Sequence, residues 1–185
     1  GQIDLGRFSL DNVEMLSLSI GQSEDMLQSA RQYASAAVLN IETEKPHFEN
    51  GKNSLIRFQA KGGSFGYLSP ALRWWQKAGK SLSISMDANY MRADGNYPFT
   101  LRNGKYVTAE KRYNSAIYSY QGELNLFKTF KDNSSLEIKN YYFYSDRELP
   151  GAVTLYNPVA NEKLWDENYF IQALYKKDFS DKFKT

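Results

Sequence analysis

The sequence predicts a mainly β fold, in which an antiparallel meander of long strands follows a small α+β segment. Apolar and polar residues alternate over long stretches, and these stretches end alternately in tight turns and in longer polar loops. Aromatic residues make up 15% of the chain, with 14 Tyr and 11 Phe. Such a composition favours β structure, because aromatic side chains pack well on a pleated surface.

The clearest alternation lies in residues 81–92, SLSISMDANYMR. Leu82, Ile84 and Met86 fall on one face, whereas the residues between them are small or polar. Several predicted strands are longer than the roughly five or six residues that are usual in soluble sheets. The six predicted strands occupy residues 54–60, 67–76, 81–92, 113–130, 134–146 and 164–179.

The connections between these strands alternate in length. Tight turns are predicted at 78–80, 131–133 and 180–182, and longer loops at 61–66, 93–112 and 147–163. This alternation is typical of outer-membrane barrels, which have short periplasmic turns and long extracellular loops. Seven tyrosines on the apolar faces suit the membrane interfaces: Tyr90, Tyr118, Tyr120, Tyr142, Tyr144, Tyr169 and Tyr175. Taken strand by strand, the pattern favours an ordinary soluble antiparallel sheet with one wet face. The alternating loop lengths, together with the small α+β segment Asp11–Pro46 that precedes the strands, favour a partial outer-membrane β-barrel.

The segment Asp11–Pro46 predicts a strand, a short helix and a second strand. Ser23 is a suitable N-cap for that helix, and the acidic residues after it suit the helix dipole. The polar stretch 47–53 with Gly51 follows, and it is the best domain boundary in the chain. We therefore predict two parts, residues 1–46 and 47–185.

This first segment resembles the end of the plug domain of TonB-dependent outer-membrane receptors. The family pattern is roughly DNVERIEVL followed by GGVINIITKKP, and the chain has DNVE at 11–14 and AAVLNIETEKP at 36–46. The family's usual glycines are replaced by Ser35, Ala36 and Ala37. LPGAV at 149–153 and LWDEN at 164–168 are similar to receptors for vitamin B12 and siderophores. The resemblance makes 1–46 the last part of a plug and 54–179 the first barrel strands.

The resemblance implies a protein of the outer membrane of a Gram-negative bacterium, in contact with its lipid. Such receptors carry a scarce extracellular ligand, such as a metal chelate, cobalamin or a glycan, into the periplasm. The TonB protein supplies the energy through a short box that we expect before Gly1. We interpret the chain as a fragment that does not transport alone, and expect it to self-associate through its free strand edges and apolar face. No enzymatic activity and no cofactor is expected.

Composition argues against other functions. The chain has 23 basic and 21 acidic residues, and this balance argues against a dedicated nucleic-acid binder. It contains no cysteine and one histidine, His47, which argues against disulfides and against Cys- or His-based metal or catalytic sites. We expect no metal site. No apolar run reaches the roughly 18 residues of a transmembrane helix.

Candidate ligand-binding residues lie in the two long loops, because loops on a rigid scaffold often carry recognition. Arg and Tyr side chains there would suit an anionic or aromatic ligand. Simple solvation of exposed side chains is the alternative for each of them. The candidates are Tyr97, Arg102, Lys105 and Tyr106 in one loop, and Arg147 and Tyr156 in the next.

Two other classes of protein remain open at this level. One is a soluble β-barrel module that binds an apolar small ligand inside, and the other is a surface adhesion or structural β protein. The direction of Leu82, Ile84 and Met86 distinguishes them from a receptor. A binding barrel points these side chains inward, whereas a membrane barrel points them outward to lipid.

Overall fold

A computed structural model describes residues 7–8, 10–21, 34–48, 51–153, 160–180 and 183–184. The predicted helix after Ser23 and the candidate residue Tyr156 lie outside these residues. A 3-10 turn at Leu10–Asn12 precedes the first strand. The strands are β1 (Val13–Ile20), β2 (Ala37–Thr43), β3 (Ser54–Gly62), β4 (Leu68–Lys77), β5 (Leu82–Ala93), β6 (Pro98–Asn103), β7 (Tyr106–Lys111), β8 (Ile117–Thr129), β9 (Ser135–Leu149), β10 (Glu162–Lys176), β11 (Asp178–Ser180) and β12 (Phe183–Lys184).

One antiparallel sheet of six strands dominates the fold, in the order β10-β9-β8-β5-β4-β3. Each strand pairs with its neighbour along the chain, apart from the hairpin β6–β7 that is inserted between β5 and β8. The six predicted strands are therefore confirmed, as is the antiparallel meander. Over the described residues the sheet is open, with β3 and β10 as its edges, so a closed barrel is not seen.

The N-terminal strands β1 and β2 pair with each other, Val13 opposite Thr43 at one end and Ile20 opposite Ala37 at the other. We call these strands, with the flanking residues 7–8, 10–12 and 44–48, the N-terminal ribbon. A two-stranded ribbon is marginal in water by itself. Its stability must therefore come from what it packs against.

The prediction of one long polar loop over 93–112 is wrong. Residues 98–111 form the hairpin β6–β7, in which Asn103 pairs with Tyr106 across a two-residue turn. Gly104 takes a positive φ of 60° in that turn, as the first position of a tight hairpin turn requires. The glycine at the first of the two turn positions, Gly104-Lys105, with Leu101 and Val107 in the flanking strands, is the sequence signal for this hairpin.

The second long loop is shorter than predicted. The β9–β10 ladder continues to the pair Leu149–Glu162, and Arg147 pairs with Leu164 within it. Arg147 is therefore a strand residue, and its placement in a loop was wrong. The ladder extends because each further pair satisfies backbone hydrogen-bonding groups on both strands.

A short turn joins β8 and β9. The amide of Phe130 donates to Ser134 O at 2.8 Å, and Asn133 has a positive φ of 62°. The Ser134 hydroxyl donates to Asp132 at 2.7 Å, and Lys177 pairs with the same carboxylate at 2.9 Å. Together these contacts hold the pKa of the Asp132 carboxyl well below its ordinary value, and the hydrogen bond from the Ser134 hydroxyl makes the largest contribution.

The connections at the opposite end of the sheet, which we call the loop end, are tied to one another. The amide of Asp94 donates to Phe65 O, and the amide of Arg112 donates to Tyr97 O, both at 2.8 Å. The Asn114 side chain donates to Leu149 O at 2.8 Å and to Glu162 O at 3.0 Å. These bonds join the consecutive connections into one layer at the loop end of the strands.

Gly95 allows the closest approach in this layer, and substituting it tests the layer. Its φ is +63°, and a Cβ there would lie 2.4 Å from Ser115 O. We expect Gly95→Ala to lower the free energy of unfolding by about 2–4 kcal/mol, from backbone strain plus overlap. Gly104→Ala is the matched control, because φ is +60° and no atom lies within 4 Å of the added Cβ. It should cost only about 1–2 kcal/mol of strain. Denaturant unfolding measures both, and equal losses would contradict the close approach.

Candidate functional site

Burial on the six-stranded sheet is inverted relative to an ordinary soluble sheet. The polar face carries buried charged or polar groups, such as Glu123 at 5% exposure and Asn125 at 4%. The apolar face carries exposed large side chains, such as Ile56 at 67% and Ile171 at 60%. A water-soluble antiparallel sheet normally buries its apolar face and wets its polar one.

One cross-strand row on the polar face, which we call the anchor row, sets the arrangement of charges. It contains Arg57, Arg73, Asp87, Glu123, Tyr141 and Phe170, one from each strand of the sheet. The row places two arginines opposite each other and two carboxylates opposite each other. Like charges in such positions repel unless other groups compensate them.

Arg73 is the centre of this compensation, and its side chain is only 8% exposed. Its Nε donates to Asp87 at 2.6 Å, and its Nη1 donates to Glu44 at 2.5 Å. Its Nη2 donates to Asp11 O at 2.9 Å. The acceptors Glu44 and Asp11 both belong to the N-terminal ribbon, so a buried arginine fastens the ribbon to the sheet.

Glu44 also relieves the repulsion between the two arginines. Its Oε2 lies 2.5 Å from Arg73 Nη1 and 3.5 Å from Arg57 Nη1. Lys61 pairs with Asp11 at 2.5 Å and adds a further ion pair between the sheet and the ribbon. The ribbon therefore supplies the anions that this positive part of the polar face requires.

A second cluster neutralises the carboxylate end of the row. Lys139 pairs with Glu123 at 3.2 Å, and its Nζ also donates to Thr43 of the ribbon at 3.3 Å. The Asn125 amide donates to Glu123 at 2.7 Å and to Ser85 at 3.1 Å. The buried Glu123 is thus held by one cation and one amide donor.

An aromatic stack completes the contact at the β10 side. Tyr141 stacks on Phe170 with ring centroids 4.8 Å apart. The ring centroid of Phe8 lies 5.7 Å from that of Tyr141. The Tyr141 hydroxyl donates to Arg7 O, and Arg7 pairs with Asp166 at 2.9 Å. Ribbon contacts thus reach from the β3 edge of the sheet to the β10 edge.

The apolar face has aromatic groups near both of its ends. Towards the loop end, Tyr118, Tyr120 and Tyr144 contact one another and Tyr90 contacts Tyr120, with centroid distances from 5.1 to 6.5 Å. Towards the other end, Phe130 meets Tyr175 edge-on at 6.4 Å. Aliphatic side chains lie between them, including Met86, Leu124, Leu126 and Ile138.

A buried acid interrupts this apolar face. Asp146 belongs to the apolar face by strand alternation and is only 8% exposed. The Tyr118 hydroxyl donates to its Oδ2 at 2.8 Å. This charge-assisted bond is what a carboxylate needs when it is withdrawn from water.

Two depressions accompany the sheet. A cavity of about 30 Å³ lies between the ribbon and the polar face, lined by Asp11, Asn12, Arg57, Gln59, Arg73, Asp87, Asn89 and Gln121 among others. A hollow of about 450 Å³ lies on the apolar face above the small residues Ala88 and Gly122, with Phe58, Tyr90, Tyr120 and Tyr142 around it. The first is small and lined mainly by polar and charged residues, and the second is apolar and open.

The described candidate ligand residues lie in three places. Tyr97 contacts Phe65 at 5.9 Å and Phe99 at 6.2 Å, within the loop end. Arg102, Lys105 and Tyr106 lie together at the tip of the β6–β7 hairpin, and Tyr106 is 75% exposed. Arg147 lies apart from both, on the polar face of β9 opposite Ile117 and Leu164.

The described residues contain no group of three or more His, Cys, Asp or Glu side chains placed to hold a metal ion. They also contain no helix of the length and apolarity needed to cross a membrane.

Comparison with known proteins adds no assignment. No protein-family model matches the chain, and no curated protein matches it.

Arg73, Asp87, Glu123 and Tyr141 were missed as site residues by sequence reasoning. Each lies at a polar position of a predicted strand, and such positions look like ordinary solvated sites in a single strand. The signal was available only across strands, because the charges align once the register is known. Register depends on turn geometry, which the strand patterns leave open.

Glu44 tests whether the anchor row holds the ribbon. We expect Glu44→Gln to remove the ion pair of Arg57 and to leave Arg73 with Asp87 alone, which should weaken attachment of the ribbon by about 1–3 kcal/mol. Amide hydrogen exchange in β1 and β2 and proteolysis within the ribbon should both accelerate. Glu42→Gln is the control, because Glu42 is exposed and accepts only from Asn40 among the described contacts. Equal protection of the ribbon in both variants would contradict the account.

Proposed function

We propose that this chain is a segment of a TonB-dependent outer-membrane receptor. In this proposal the N-terminal ribbon belongs to the plug, and the six long strands belong to the wall of the barrel. The observation that carries it is the inverted burial, in which the polar face is covered and the apolar face is bare.

The bare apolar face is the physical reason to invoke lipid. Apolar surface in water is unfavourable by about 25 cal/mol for each Å². The exposed set is large and contiguous across strands: Ile56, Phe58, Leu72, Leu124, Tyr142, Tyr169 and Ile171. A bilayer removes this cost, and it makes the strand alternation of apolar outside and polar inside favourable.

The length of the apolar band agrees with this proposal. On β8 it runs from Tyr118 near the loop end to Leu126 near the turns, where Lys128 follows it on the same face. A membrane-spanning β-strand needs about 9–11 residues, and aromatic girdles are expected at both of its ends. The tyrosine cluster and the Phe130–Tyr175 pair occupy those ends.

In the proposed receptor the loop end faces the outside of the cell and meets the ligand. The exposed tip of the β6–β7 hairpin offers Arg102, Lys105 and Tyr106, which suit an anionic or aromatic group on a metal chelate, cobalamin or glycan. Transport into the periplasm would depend on the TonB protein, and the described ribbon and sheet do not transport alone.

A soluble module that binds an apolar ligand is the second candidate. The 450 Å³ hollow on the apolar face, with its ring of tyrosines, is the observation that favours it. In such a module the face that carries Ile84 and Met86 would have to turn inward and be covered. Nothing in the described part of the chain covers that face, so the receptor is the better-supported function.

Leu124→Arg distinguishes these possibilities. Leu124 is 42% exposed in the middle of the apolar band. If lipid covers this face, the arginine should destabilise the lipid-bound form by about 2–4 kcal/mol and should increase solubility in detergent-free buffer. The two quantities are measured by urea titration in lipid vesicles and by light scattering in buffer.

Val107→Arg is the control for this substitution, because Val107 is 59% exposed on the β6–β7 hairpin outside the band. It should change neither quantity. A protein that is monomeric in plain buffer, and that Leu124→Arg unfolds there, would instead support the soluble module and overturn the receptor.

A further inference from the structure

The end of the sheet opposite the loop end carries a concentration of lysines. Four chain segments meet there, residues 51–54, 76–83, 127–136 and 175–177. Together they hold seven lysines and a single acidic residue, Asp132. We call these lysines the turn-end rim: Lys52, Lys77, Lys80, Lys128, Lys131, Lys176 and Lys177.

Backbone contacts bring these segments side by side. The amide of Lys77 donates to Asn53 O at 2.7 Å, and the amide of Thr129 donates to Ser81 O at 2.9 Å. Lys177 reaches across to Asp132 at 2.9 Å. The rim is therefore continuous along the end of the sheet, although its lysines are far apart in sequence.

The positive charge of the rim is largely uncompensated within the described structure. Lys177 is the one rim lysine with an ion pair to a described residue, and its partner Asp132 is also occupied by the Ser134 hydroxyl. Lys128 donates to the neutral Ser81 hydroxyl at 2.9 Å. Basic groups at the loop end, by contrast, are interspersed with Asp94, Glu110, Glu148 and Glu162.

The rim directly borders the apolar face. Phe130 and Tyr175 contact each other beside it, and the Trp74 indole donates to Ser54 Oγ at 3.1 Å in the same region. Aromatic rings next to lysines are typical of the boundary between hydrocarbon and headgroups. Lysine stems can also lie along apolar surface while their ammonium groups extend to the polar layer.

From this juxtaposition we propose that the turn-end rim binds the anionic headgroups of phospholipids in the leaflet at that end of the strands. The proposal rests on the membrane location proposed above. The occupant is assigned by charge complementarity and by continuity with the apolar band, which fixes the lysines at headgroup depth. A nucleic acid would meet the same charge but would leave the adjoining apolar surface bare.

The test compares flotation of the whole chain with two kinds of lipid vesicle. One is phosphatidylcholine, and the other contains about 30% phosphatidylglycerol in the same lipid. We expect roughly tenfold stronger association with the anionic vesicles, and loss of most of this preference in about 0.5 M salt. No preference for the anionic vesicles would overturn the proposal.

Substitutions test whether the preference for anionic vesicles depends on the rim lysines. The triple variant Lys77→Gln, Lys80→Gln, Lys131→Gln should lose most of it, because these ammonium groups have no ion pair with described residues. The control Arg92→Gln, Lys111→Gln, Lys163→Gln removes the same charge at the loop end and should keep it. Equal losses in both variants would assign the effect to net charge and overturn the proposal.

The remaining outcomes separate this inference from the function on which it rests. Normal binding to neutral vesicles without any anionic preference would overturn the rim alone and leave the receptor proposal intact. Failure to bind either vesicle would overturn both. Retention on immobilised DNA that depends on the same three lysines, with unchanged flotation, would assign the rim to a nucleic acid instead.

Discussion

The structure depends on the buried guanidinium of Arg73. A buried arginine is strongly destabilising unless anions and acceptors surround it. Here Asp87 from the sheet and Glu44 and the Asp11 carbonyl from the ribbon do so together. Neither part provides all of the partners, so each stabilises the conformation of the other. The two-stranded ribbon, marginal by itself, thereby gains a fixed position on the polar face.

This constraint also fixes which face of the sheet is bare. Successive side chains of a strand alternate between the two faces of the sheet. The anchor-row charges therefore face the ribbon only if their neighbours along each strand face away from it: Arg57, Arg73, Asp87 and Glu123. A slip of one residue in any ladder would move a charge to the apolar face and an aliphatic side chain under the ribbon. The ion pairs and the apolar band are therefore two consequences of one register.

The strands and their apolar faces were predictable from the sequence because period-2 alternation is a local signal, and the segment 81–92 is close to the observed β5. The hairpin at 98–111 was missed because its polar composition concealed the Gly104-Lys105 turn signal. Arg147 was placed in a loop because the β9–β10 ladder extends through pairing, which leaves no pattern in one strand. The anchor row could not be predicted, since it exists only when six registers are fixed together. The membrane location and the receptor assignment stay predictions.

The most direct test uses the absence of cysteine from the chain, which allows single spin labels to be placed without background. One label would be introduced in each variant, at consecutive positions 121–126 of β8, and each labelled protein would be placed in lipid vesicles. The accessibility of each label to oxygen would then be compared with its accessibility to a water-soluble nickel complex. The account predicts alternation, with positions 122, 124 and 126 open to oxygen in the lipid and positions 121, 123 and 125 shielded beneath the ribbon. Access of the nickel complex to position 124, with no alternation along the strand, would contradict it.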